Sequence, residues 1–284
     1  MPKRDASTAT DALAQRLLKS LSSRILAARH PFLLGLSGLQ GSGKSMLAAA
    51  LVRQARGRGW PAQTLSLDDV YLGRRARRER AARVHSLLRT RGVPGTHDLD
   101  LLRTTLDALA EASANRPVAL PRFDKGRDTR RPPSRWPRVR VPPRLIVLEG
   151  WCIGVPAQSD AALRTSMNAL ERDEDADGRW RRYANDSLEA MQDLWKRLDA
   201  LILLQAPDWP TVCRWRAQAE APLRARGAPQ AMNTTALRRF MQHYERLSRH
   251  ALRTLPPRAD IVIALDAARR VISFREKAVS RRRR

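Results

Sequence analysis

The eight residues GLQGSGKS, positions 38–45, constrain this chain more than any other stretch. Gly38, four residues, then Gly43, Lys44 and Ser45 have the spacing of a loop that cradles phosphate, and such a loop sits between a strand and a helix. Both flanks are legible: the apolar run PFLLGLSG (31–38) precedes it and the alanine-rich SMLAAALVRQA follows it. Gly38, Gly41 and Gly43 allow backbone conformations and close approaches that side chains would block. Successive N–H groups then wrap a β-phosphate, and the helix adds its positive end. Lys44 reaches the β- and γ-phosphates, while the Ser45 hydroxyl ligates Mg²⁺. Gly38, Gly41, Ser42, Gly43, Lys44, Ser45 and Met46 are the candidate nucleotide contacts, and ATP with Mg²⁺ is the implied cofactor pair.

Around this loop the 284 residues alternate between strands and helices. Five apolar, β-rich segments (31–38, 62–69, 144–151, 199–207 and 259–266) read as strands covered on both faces. Helical patterns fill 44–56, 99–114, 185–197, 209–226 and 235–253. Such alternation predicts a doubly wound, parallel, five-stranded sheet with right-handed crossovers, an α/β fold whose sites gather at the carboxyl ends of the strands. Residues 73–98 and 115–143, rich in Arg, Pro and Gly, are too long for plain connections, and 160–185 is a further polar excursion. The expected division is an N-terminal helical extension (1–30), a phosphate-loop domain (31–270) and a basic tail (271–284).

Three acids fall where the sheet rule puts chemistry. SLDDVYL carries Asp68 and Asp69 at the end of the second strand, where one of them can accept a hydroxyl proton or bind Mg²⁺ through water. The two point differently, so only one is expected to be catalytic. LIVLEGW ends a buried strand in Glu149, a third candidate near the metal. The long loops offer His97 and Asp98 in RGVPGTHDLD, with Asp124, Lys125, Asp128 and Arg130 in PRFDKGRDTR, a mixture suited to a small anionic, polyhydroxylated ligand. Asp98 also precedes a clear helix and reads equally as its cap. In the helix after the fourth strand, Arg214, Arg216, Arg224 and Arg226 can offset charge on a transferring phosphoryl group, Arg216 being the candidate taken here. His243 and His250, seven apart on one helix, read as packing residues.

The net charge of +26 argues at first for a nucleic-acid partner. Only six lysines contribute to the 54 basic residues, and the arginines are spread throughout, so the excess reads as compositional and nucleic acid is not expected as a partner. No run approaches the roughly 18 apolar residues of a membrane span, so no membrane partner is expected, and the polar N-terminus does not read as a secretory signal. Cys152 and Cys213 are far apart and outside any metal or redox spacing, which points to a reducing, cytoplasmic setting.

Taken in order, GLQGSGKS, SLDDVYL, RGVPGTHDLDLL, PRFDKGRD, LEGWCIGV, NALERDEDADGRWRRYANDSL and WRAQAE resemble the D-glycerate 3-kinase family. That family lies in the phosphate-loop kinase branch with pantothenate kinase, uridine kinase and phosphoribulokinase. The resemblance covers about residues 30–270. It implies ATP-dependent phosphorylation of a primary alcohol, with glycerate, a small hydroxy acid, as the leading acceptor; another small alcohol, or a basic nucleic-acid-associated ATPase, is the alternative. It further implies that Asp68, followed by Val70 and Tyr71, acts as general base, with Asp69 a Mg²⁺ or structural partner. Acceptor contacts would come from the loops at 92–98 and 122–130, giving Tyr71, His97, Asp124, Lys125 and Arg130 as candidates, and a lid would occupy 208–229.

Overall fold

An apolar strand without a polar face must be covered on both sides, so the strand leading into the phosphate loop belongs in the middle of a sheet. The computed structural model, which describes residues 2–226 and 231–277, puts it there. The chain runs through helix α1 (Pro2–Ala27), β1 (Phe32–Gly38), α2 (Lys44–Gly57) and β2 (Ala62–Ser66). The first excursion contains α3 (Arg74–Arg83) and leads to α4 (Leu99–Ala110). The second is built of two small antiparallel pairs, β3 (Val118–Ala119) with β6 (Arg138–Val139), and the hairpin of β4 (Phe123–Asp124) and β5 (Thr129–Arg130). After β7 (Leu145–Gly150) come α5 (Asp160–Leu163), α6 (Ala169–Glu174), α7 (Arg179–Glu189) and α8 (Gln192–Lys196). The order then is β8 (Ala200–Gln205), α9 (Trp209–Ala225), α10 (Thr234–Thr254), β9 (Ile261–Leu265) and β10 (Val271–Glu276).

The main sheet has the order β10-β9-β8-β1-β7-β2. Every pairing is parallel except β10 with β9. Glu149 of β7 lies level with Leu36 of β1 and Ser66 of β2, so the loops leaving these three strands start side by side. From β1 the chain goes out to β2 on one flank and later to β8 and β9 on the other. A crevice therefore opens beyond the carboxyl end of β1, where the phosphate loop lies.

Four details differ from expectation, each for a local reason. The sheet has six strands, because residues 271–276, expected in a basic tail, pair antiparallel along the edge of β9. Helix α4 stops at Ala110, and a Ser113–Arg116 turn follows just ahead of Pro117. The helix expected from 185 begins at Arg179, because the buried Asp175 carboxylate accepts the N–H groups of Trp180 and Arg181 and caps that end; it then breaks into α7 and α8. And α1 is a layer of the domain, with Ala14, Leu17, Leu18, Leu21 and Ile25 buried in the same core as the sheet. Residues 227–230 of the expected lid and 278–284, with the final arginines, lie outside the described residues.

Several arginines of the basic excess are internal. Arg246 of α10 grips the fully buried Glu171 through two bonds of 2.7 and 2.5 Å, and its remaining donors reach the carbonyls of Ala162 and Thr165. Arg181 pairs with the buried Asp175 at 3.0 Å. The first pair fastens the 160–185 excursion to α10, and the second holds the excursion together from within. Among the described residues no helix is long and apolar enough to cross a membrane.

Candidate active site

The loop after β1 takes the shape its glycines require. Gly41 has φ +79°, and a Cβ there would lie 2.7 Å from Cβ of Trp215, so α9 packs directly on the loop and only glycine fits between them. Gly43 (φ +90°) starts α2. The Met46 side chain is exposed on the first turn. Ser45 Oγ donates to Glu149 Oε1 at 3.0 Å. Glu149 is only 5% exposed, yet its Oε2 has no hydrogen-bond partner among the described residues, and neither does the buried Ser42 hydroxyl. A buried polar atom without a protein partner needs one from water, an ion or a ligand. A hydroxyl beside a carboxylate oxygen, at a phosphate loop, is a hard-oxygen set that fits Mg²⁺, the rest of whose shell phosphate and water supply.

Past β2 the chain makes a single 3₁₀ turn, Leu67–Val70, capped by Ser66 Oγ accepting from the Asp68 N–H. That turn sends the two aspartates to different places. Asp68 Oδ2 lies 2.6 Å from Lys125 Nζ. Burial alone would raise the Asp68 carboxyl, but the ammonium groups of Lys125 and Lys44 outweigh it and hold the acid below its ordinary value. Asp69 faces the other way: Oδ1 accepts the Phe123 N–H at 3.0 Å and Oδ2 meets Arg122 at 3.3 Å. Burial dominates there and raises its carboxyl above the usual range. Both oxygens of Asp69 hold the second excursion against β2, which is the structural one of the two roles expected for it.

Tyr71 and His97 bridge each other through their backbones and stack at 4.4 Å, with Phe123 edge-on to Tyr71 at 5.6 Å. The Tyr71 hydroxyl and the Trp151 indole N–H both donate to the Gly92 carbonyl, at 3.4 and 3.2 Å. Gly92 sits at φ +146°, and a Cβ there would run into the Tyr244 ring. Tyr71 is thus a buried wall, with its phenol pushed well up by burial, and not the acceptor contact expected.

His97 is as deep, but both its ring nitrogens lack partners among the described residues. Burial lowers its pKa to about 4 against the opposing pull of Asp68, so the ring is neutral at pH 7. His243 is likewise lowered to about 4 by burial. Between pH 6.5 and 4 the unfolded chain binds more protons than the folded one at these rings, so stability falls as pH drops through that window. The urea midpoint is expected to be lower at pH 5 than at pH 7, and a His97→Asn, His243→Asn double variant should lose much of that slope.

On the β4–β5 hairpin, Asp124 accepts the N–H groups of Gly126 and Arg127, each at 3.0 Å. It shapes the turn that presents Lys125. Arg130 Nη2 is held by Asp98 at 2.9 Å and by the Tyr71 carbonyl at 3.2 Å, while its buried Nε has no partner among the described residues. Asp98 also caps α4 through the Leu101 N–H. Asp128 joins Arg77 and Arg91, with Arg74 at 3.6 Å. Arg77, only 1% exposed, also donates to the carbonyls of Arg89 and Leu72 and so ties the hairpin to the first excursion. Arg77, Arg91 and Arg122 had no distinguishing mark in an arginine-rich sequence. On α9, Arg216 pairs with Glu220 at 2.7 Å, whereas Arg214 bonds Thr211 on another face.

No protein-family model matches the chain. Individual relatives do. The chain is 30% identical over 245 residues to "Uncharacterized kinase mug58" of Schizosaccharomyces pombe, spanning 82% of this chain and 85% of that protein. It is 32% identical over 225 residues to "D-glycerate 3-kinase, chloroplastic" of Arabidopsis thaliana, spanning 75% of this chain and 46% of that longer protein. The fold is that of a D-glycerate 3-kinase structure from Cryptococcus neoformans, with a TM-score of 0.74 over 94% of this chain and 99% of that one at 22% identity. With a phosphate loop, an acid pair and a basic excursion meeting at one crevice, the chain belongs to the D-glycerate 3-kinase family and is an ATP-dependent kinase.

Proposed function

We propose that this kinase phosphorylates the primary hydroxyl of a small anionic hydroxy acid, D-glycerate, to give 3-phosphoglycerate. The observation that carries this reading is the Asp68–Lys125 pair at 2.6 Å, beside the phosphate loop. An ionised acid suits a hydroxyl, and an exposed ammonium one bond away suits a carboxylate on the same small molecule. Arg130, Arg91 and Arg122 brace the surrounding loops, each paired with an aspartate: Asp98, Asp128 and Asp69.

In this reading the acceptor carboxylate draws Lys125 off Asp68. Asp68 then takes the hydroxyl proton as the oxygen attacks the γ-phosphorus and the bond to the bridging oxygen of ADP breaks. Lys44 lies close enough to act on Asp68 electrostatically and offsets charge on the transferring group. Ser45 and Glu149 would hold Mg²⁺, which when bound neutralises charge on the phosphates. Arg216, now paired with Glu220, would turn to the phosphoryl oxygens once ATP is bound. The two cysteines are unpaired, in keeping with a reducing, cytoplasmic setting.

The test is ADP release measured over D-glycerate, L-glycerate, other hydroxy acids, nucleosides, pantothenate and polynucleotides. D-glycerate is expected to stimulate turnover with 3-phosphoglycerate as product. Stimulation by a nucleoside or pantothenate, with none by glycerate, would overturn the acceptor. Lys125→Gln is expected to raise the acceptor KM about tenfold or more, one charge-assisted hydrogen bond's worth, and to leave the KM for ATP unchanged.

A further inference from the structure

On the function proposed above, the acceptor is held by the turn after β2 and by the β4–β5 hairpin, to one side of the phosphate loop. In-line transfer puts the leaving oxygen on the far side of the γ-phosphorus from the attacking hydroxyl. The nucleoside end of ATP must therefore extend the other way, over the carboxyl ends of β8 and β9. The turn that follows β9 closes there. Asp266 Oδ1 accepts the N–H groups of Ala268 and Arg270, both at 2.8 Å, and the Arg269 N–H reaches the Asp266 carbonyl. Arg269 sits at φ +66°, the left-handed position that glycine takes at no steric cost and an arginine takes only under strain.

Its side chain accounts for that strain. Arg269 Nε donates to the carbonyl of Gly41, in the phosphate loop, at 2.6 Å. The guanidinium lies 5.1 Å from the ring centroid of Trp215, which packs on Gly41 and donates its own N–H to the Ala267 carbonyl at 2.7 Å. Loop, α9 and turn are thus locked at one point. The neighbouring Arg270 is matched by Asp266, but Arg269 has no carboxylate partner among the described residues, and its two terminal nitrogens make no hydrogen bond among them. A strained residue held by its surroundings at a functional site is a mark of use.

We propose that Arg269 is the nucleotide-positioning residue of this kinase: it fixes the phosphate loop by the Gly41 carbonyl and turns the free edge of its guanidinium to the nucleoside side of bound ATP. An Arg269 that only braced the fold would show its removal in the unfolding midpoint and leave the KM for ATP unchanged. The two roles separate in Arg269→Gly, which relieves the strain and removes the clamp together. The unfolding midpoint is expected to stay level or rise by about 2 °C. At the same time the KM for ATP should rise about tenfold, the loss of one hydrogen bond to a charged group, with kcat and the acceptor KM within about twofold. Arg269→Lys keeps the charge but not the planar fork and should fall between. An ATP KM unchanged in both variants would overturn the proposal, and so would a loss confined to kcat. If the glycine variant does not fold, the lysine variant decides by the same split.

Discussion

Asp68→Asn is expected to lower kcat for acceptor phosphorylation by about 10²- to 10⁴-fold, the range for loss of a positioned general base. ATP affinity should be nearly unchanged, because the phosphate loop and its Ser45–Glu149 pair do not depend on that carboxylate. The amide is isosteric and the turn beneath it is held by the Asp68 N–H, not by its side chain, so the fold should survive. Since the Asp68 carboxyl is held below its ordinary value, it stays ionised from about pH 5 upward, and kcat/KM should show no acid limb from it in that range. The neighbouring Asp69→Asn is the control. Its oxygens hold Arg122 and Phe123, so its loss should raise the acceptor KM and lower stability more than it lowers kcat. Single-turnover rates and nucleotide titrations on the two variants check both statements. A near-wild-type kcat for Asp68→Asn would remove it as the base.

Glu171→Ala is expected to be the most destabilising single change away from the crevice. Arg246 is held between Glu171 and two carbonyls with both side chains out of solvent, so removing the acid strands a buried charge. Breaking such a pair from one side costs about 3–5 kcal/mol. For a domain of this size the melting temperature should fall by about 10 °C. Replacing both partners, as Glu171→Met with Arg246→Met, should recover much of that loss, because the stranded charge and not the missing attraction sets the cost. Calorimetry on the single and double variants separates the two: a double variant no better than the single would assign the cost to packing.

How much of this was written in the sequence depends on the range of the interaction. The parallel strands were legible because burial on both faces leaves uninterrupted apolar runs such as FLLGLSG and LIVLEG. The phosphate loop was legible because its glycines, lysine and serine act within eight residues. Strand β10 was not, since VISFRE lies at an edge, mostly exposed, and carries no buried run. Asp69 could not be told from Asp68 by sequence. What separates them is an N–H 54 positions away, presented by a hairpin that the sequence marks only as a polar loop. Arg77 stands in RRARRERAAR among arginines that look alike, and only the fold buries that one. Arg269 gives no signal either, because a left-handed turn position is ordinarily read from glycine.

The first helix and the last strand touch. Ser20 donates to Glu276 at 2.5 Å, Arg16 lies 3.8 Å over the Phe274 ring, and Arg24 pairs with Asp260. On the ribosome, α1 therefore emerges with α2 close behind it, while the β10 residues that meet Ser20 and Arg16 arrive some 250 residues later. At about 5–20 residues per second that wait lasts on the order of 10–50 seconds. For that interval α1 can pack on α2 but lacks the last strand, so the N-terminal layer closes only when synthesis is nearly complete. Cleavage of α1 by protease should therefore be faster on a nascent chain ending before 271 than on the finished domain.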